Sequence, residues 1–115
     1  MRAILGVLLA IAPSVAFAEE WKTLNDAEIL QVLTGKHVEY VAARQEFLGS
    51  GITIYDTGEK ANGRWSVNRD RYCSTWPPSS EITCYVVEQN SQDTTRVRFT
   101  GPKGEVSNGR IVSLP

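Results

Sequence analysis

From Gly35 to its end, the chain is cut into short apolar pieces by clusters of turn residues, and this punctuation limits its fold more than any other feature. The pieces are His37–Val41, Gly51–Tyr55, Gly63–Val67, Arg71–Thr75, Ile82–Val87, Thr95–Phe99 and Gly109–Leu114. Between them stand Gly49-Ser50-Gly51, Asp56-Thr57-Gly58, Asn62-Gly63, Asn68-Arg69-Asp70, residues 88–93 and Gly101-Pro102-Lys103-Gly104. Gly, Asn, Asp and Pro supply the backbone angles that a chain reversal needs. Seven short runs so spaced predict an antiparallel meander that closes into a sandwich, small barrel or half-barrel. Alternation assigns the faces: Trp65 and Val67 oppose Arg64 and Ser66, and Val97 and Phe99 oppose Arg96 and Arg98. Thr83–Val87 is apolar on both faces and predicts a central strand. Asn62-Gly63-Arg64 recurs as Asn108-Gly109-Arg110; each Asn-Gly pair suits a tight turn or a strand entry, with a duplicated functional motif as the alternative.

One helix is expected, over residues 26–34. Asn25 can cap it, Glu28 completes a capping box, and Leu24 and Ile29 are spaced as a hydrophobic staple. Ile29, Val32 and Leu33 form an apolar stripe, and Gly35 is the natural stop. Ahead of it, residues 1–18 have the form of a secretory signal: Arg2, then Ile4–Ile11, then the cleavage pattern Ala16-Phe17-Ala18. That apolar run is broken by Pro13 and is short for a membrane span, so the mature chain is expected to have no transmembrane segment. The expected organisation is a signal peptide, 1–18, and a single β-rich domain, 19–115.

Removing residues 1–18, which carry one Arg and no acid, leaves 97 residues with 11 basic and 13 acidic side chains. That length holds one modest core. The charge balance speaks against nucleic acid as a partner, because phosphate neutralisation needs a basic face. Export to the periplasm or beyond places the chain in an oxidising compartment, where the only two cysteines are expected to form a Cys73–Cys84 disulfide. A redox pair would have two residues between the thiols, and here there are ten. Closing so short a loop stabilises by roughly 3 kcal/mol in the chain-entropy account.

Gly63-Arg64-Trp65, Asp70-Arg71-Tyr72-Cys73, Trp76-Pro77-Pro78-Ser79, Cys84-Tyr85 and Val97-Arg98-Phe99 together resemble a class of small exported bacterial proteins that carry a domain of unknown function. The resemblance covers roughly residues 35–112. It implies a small lipocalin-like antiparallel β-barrel or half-barrel, and it carries over no activity. Asn68-Arg69 stands where glycine is common in that pattern.

The residues point away from catalysis. His37 is the only histidine, at the start of a strand, where an exposed bystander is expected. With both cysteines bridged there is no thiol nucleophile, no set of zinc ligands, and no cofactor or metal is expected. Glu39, Glu46, Asp56, Glu59, Asp70 and Glu81 leave a carboxylate-dependent hydrolase as an alternative on composition only. Binding has two candidate seats. Trp76, Pro77 and Pro78 lie in a loop held at its root by Cys73 and Cys84, which suits docking to an unknown protein, including inhibition of a periplasmic hydrolase. The contrary expectation is that Trp76 folds back to cap the barrel. The second seat is the interior, where Trp65, Tyr55, Tyr72, Tyr85 and Phe99 could surround a small apolar ligand, although so small a barrel is expected to fill itself. The sequence therefore predicts an exported, non-catalytic binding or interaction module.

Overall fold

A computed structural model of the chain describes residues 18–113; the leader over residues 1–17 and Leu114 of the expected last strand lie outside the described residues. The elements run β1 (Trp21–Thr23), α1 (Asp26–Leu33), β2 (Lys36–Glu39), β3 (Arg44–Phe47), β4 (Ile52–Asp56), β5 (Lys60–Val67), β6 (Tyr72–Thr75), β7 (Ile82–Asn90), β8 (Arg96–Thr100) and β9 (Val106–Ser113). Strands β2 to β9 pair antiparallel in sequence order, and β9 returns to β2 through His37↔Val112 and Val38↔Ile111. The result is a closed eight-stranded antiparallel barrel. Strand β1 continues the edge of β7 that β6 leaves, with Trp21↔Asn90 as its first pair.

Two strands escape the sequence reading. Strand β3 is Arg-Gln-Glu-Phe, which lacks apolar alternation because its inward residue at the cavity is Gln45. Strand β1 holds only three residues. The two Asn-Gly pairs are also not turns: both lie inside strands, in β5 and β9. Their glycines are needed for space. A Cβ on Gly63 would fall 2.5 Å from Trp76 Cε3, and one on Gly109 would collide with Val38 Cγ1.

One end of the barrel is closed. Helix α1 crosses it, opened by the expected capping box: Glu28 N–H donates to Asn25 Oδ1 (2.9 Å) and Asn25 N–H to Glu28 Oε1 (3.0 Å). Thr34 ends the helix, and Gly35 (φ 77°) turns the chain so that its N–H donates to the Phe47 carbonyl. Beneath the helix, Leu24, Ile29, Leu33, Val38, Phe47, Val87 and Val97 are almost fully buried. Trp65 joins them, its ring edge-on to Phe47 at 5.4 Å and its Nε1–H donating to the Leu48 carbonyl.

The β5–β6 turn ties the helix to the barrel. Arg69 (φ 54°) and Asp70 (φ 60°) both take left-handed angles, as a two-residue hairpin turn of primed type requires. Without glycine this costs about 1 kcal/mol or more per residue. Two bonds offset it: Asp26 N–H donates to Asp70 Oδ1, and Asp70 N–H donates back to Asp26 Oδ1. The second carboxylate sits at the helix N-terminus, where negative charge is favoured.

Candidate functional site

The opposite end of the barrel is open. There the inward side chains surround a cavity of about 730 Å³, walled by Tyr40, Tyr55, Tyr72, Tyr85, Phe99 and Trp76 and lined also by Gln45 and Ser74. This corrects the expectation that the interior fills itself, and the reason is size distribution. The large apolar residues of β2, β3, β5 and β8 gather under α1, whereas Ala61, Gly63, Ser74, Ser107 and Gly109 are the inward residues nearer the mouth. Of the five aromatics expected to line an interior, four do so; Trp65 belongs to the closed end instead.

The rings form an arc. Trp76 meets Tyr55 edge-on (6.1 Å), Tyr55 meets Tyr40 (6.1 Å), Tyr40 meets Phe99 (6.2 Å), Phe99 meets Tyr72 (5.6 Å) and Tyr72 meets Tyr85 (5.7 Å). The first four contacts are tilted or edge-on and the last is stacked, arrangements that match the ring quadrupoles and hold the wall in place without a ligand. Trp76, expected either to project or to cap, folds back. Its indole lies on Gly63 and its Nε1–H donates to Ser74 Oγ (3.2 Å), leaving it half-buried as part of the wall. Pro77 and Pro78 remain exposed beyond it.

The disulfide holds this wall in register. Cys73 and Cys84 are directly opposed across β6 and β7 and are bonded, with Cα atoms 4.0 Å apart. Strand alternation puts them on the outer face and sends their neighbours Tyr72 and Tyr85, also directly opposed, inward.

A polar cluster marks the depth of the cavity. Gln45, 5% exposed, donates through Nε2 to Thr53 Oγ1 (2.9 Å) and to Tyr72 Oη (2.9 Å), and it accepts from the Tyr40 hydroxyl at Oε1 (3.0 Å). Burial raises the Tyr40 phenol pKa far above its ordinary value, and the neighbouring phenols Tyr72, Tyr55 and Tyr85 add to this. Burial also raises Tyr72, against the hydrogen bonds from Ser74 and Gln45. Tyr85 is raised by burial, then by the Glu105 carboxylate and Tyr55. All three are neutral phenols in the physiological range.

The remaining candidates stand apart from the cavity. His37 is buried rather than exposed, on the face of β2 opposite Val38; its Nε2 lies 3.3 Å from Glu39 Oε2 and its Nδ1 has no partner among the described residues. Asp56 accepts from Gly58 N–H in the β4–β5 turn, and Asp70 serves the helix. None of the carboxylates proposed from composition is among the described residues lining the cavity, which carries no charged side chain there. Among the described residues no three His, Cys, Asp or Glu side chains gather as a metal site, and no helix is long and apolar enough to cross a membrane. The arginines take ordinary outer-face roles: Arg98 pairs with Glu88 (2.7 Å), and Arg98 and Arg96 lie over the Trp21 ring at 4.2 and 5.2 Å. Comparison with protein-family models, with curated proteins and with solved structures gives no match.

Proposed function

We propose that the protein is an exported, non-catalytic binding module that holds a small, uncharged, largely aromatic molecule in the mouth of its barrel. The observation that carries this is the cavity of about 730 Å³, which lies in the range of small-molecule sites and has an aromatic wall. A charged ligand would find no counter-ion among the described lining residues, so a neutral one is favoured. The rings already contact one another, so little ordering is needed on binding. Export is supported by the leader form of residues 1–18 and by the disulfide, which persists in oxidising compartments.

The alternative of a protein-inhibiting loop rests on Pro77 and Pro78 alone, because the Trp76 indole is engaged with Gly63 and Ser74. Titration with N-phenyl-1-naphthylamine, an uncharged aromatic reporter, tests the proposal. Saturable 1:1 binding with a dissociation constant in roughly the micromolar range is expected, with the indole emission change lost in Trp76→Phe. Absence of saturable binding overturns it.

A further inference from the structure

The polar cluster has a direction, and that direction specifies what the ligand must carry. The Thr53 hydroxyl donates its single proton to the Glu46 carbonyl (2.7 Å). Its oxygen can therefore only accept, so the Gln45 atom facing it at 2.9 Å is the amide nitrogen. The amide orientation follows from a backbone carbonyl rather than from choice. Gln45 Nε2 then spends its second proton on Tyr72 Oη, and Gln45 Oε1 receives the proton of Tyr40. Tyr72 thus accepts, and keeps its own proton to give. Tyr40 donates, and keeps its lone pairs. Ser74 Oγ accepts the Trp76 indole N–H and gives its own proton to the Tyr72 oxygen, so it leaves the Tyr72 proton free.

Resting on the small-ligand proposal above, we infer that Tyr72 and Tyr40 form a matched donor and acceptor for an amide or lactam edge on the bound molecule. The ligand carbonyl accepts from Tyr72 O–H while the ligand N–H donates to Tyr40 Oη. The ligand amide then mirrors the Gln45 amide across the two phenols. Both phenols face the cavity and both are held neutral by burial, so neither competes as a charge. A carboxylate would bring an uncompensated charge and a second acceptor to a site with one donor. An aromatic hydrocarbon would offer the Tyr72 O–H no acceptor.

Competition against the reporter separates these cases, using 2-quinolone and naphthalene, which share a bicyclic shape and differ in the lactam edge. The native protein is expected to prefer 2-quinolone by about tenfold, the worth of a net hydrogen bond or two. In Tyr72→Phe and Tyr40→Phe that preference, read as the ratio of the two affinities within each variant, falls to near parity, and circular dichroism shows that each variant keeps the barrel. Equal binding of both probes to the native protein overturns the inference and leaves the small-ligand proposal standing. A preference that survives both substitutions does the same. Displacement of the reporter by neither probe overturns the inference outright, whereas failure of the reporter itself to bind removes the underlying proposal.

Discussion

Trp65 and Trp76 occupy opposite ends of one barrel, and replacing each by alanine is expected to have opposite consequences. Trp65 is 8% exposed, packs edge-on against Phe47 and donates to the Leu48 carbonyl. Its removal leaves an enclosed void and takes one of two donors from that carbonyl, which keeps the Gly51 N–H, so a loss of about 4 kcal/mol is expected, nearly all from the void. Trp76 already borders open space. Truncating it widens the mouth without creating a sealed void, and about half of an indole's contact is lost, worth about 2 kcal/mol. For a domain of this size, 1 kcal/mol moves the thermal midpoint by roughly 4–8 °C. Melting followed by circular dichroism is therefore expected to fall by about 10 °C in Trp76→Ala and by about twice that in Trp65→Ala. Reporter affinity is expected to reverse the order, falling about tenfold in Trp76→Ala and little in whatever Trp65→Ala remains folded. A Trp76→Ala midpoint as low as that of Trp65→Ala would refute the division into a load-carrying closed end and an adaptable mouth.

Four further outcomes follow from the same geometry. Gly109→Ala, whose Cβ collides with Val38 at a buried strand pairing, is expected to lose about 1–3 kcal/mol in chemical denaturation; an unchanged midpoint contradicts the close approach. Reduction of Cys73–Cys84 is expected to cost about 2–4 kcal/mol, and alkylation before reduction should add no mass. The buried phenols Tyr40 and Tyr72 resist ionisation when folded but ionise near pH 10 when unfolded. Their contribution is complete below about pH 10 and is lost as pH rises above it, so the midpoint should fall there while phenolate absorbance rises; a flat profile contradicts it. The exported protein is expected to begin at Glu19 by intact mass, and a product retaining the leader contradicts export.

Local chemistry was legible in the sequence wherever one short segment decides it. Asn25 and Glu28 announced the helix start, and the cysteine pair announced the bridge between directly opposed residues. Strand β3 was hidden because Gln45 is an inward residue whose partners, Tyr40, Thr53 and Tyr72, come from three other segments. Gly63 and Gly109 read as turn or strand-entry residues because Asn-Gly has that meaning locally; their purpose is to admit Trp76 and Val38, which only tertiary contact reveals. The cavity could be listed as an aromatic set but not located. Trp65 and Tyr55 are both inward strand residues, and their different fates depend on which end α1 covers.

The account turns on whether the mouth of the barrel takes up a neutral aromatic molecule. The most direct measurement is the amide and indole proton–nitrogen correlation spectrum of residues 19–115 during titration with N-phenyl-1-naphthylamine. Saturable shifts are expected at Gln45, Tyr55, Ser74 and the Trp76 indole, with Ile29 and Leu33 unmoved beneath the helix. Shifts confined to the exposed Pro78–Ser80 segment or to the outer face at Cys73 and Cys84, or none that saturate, would contradict it.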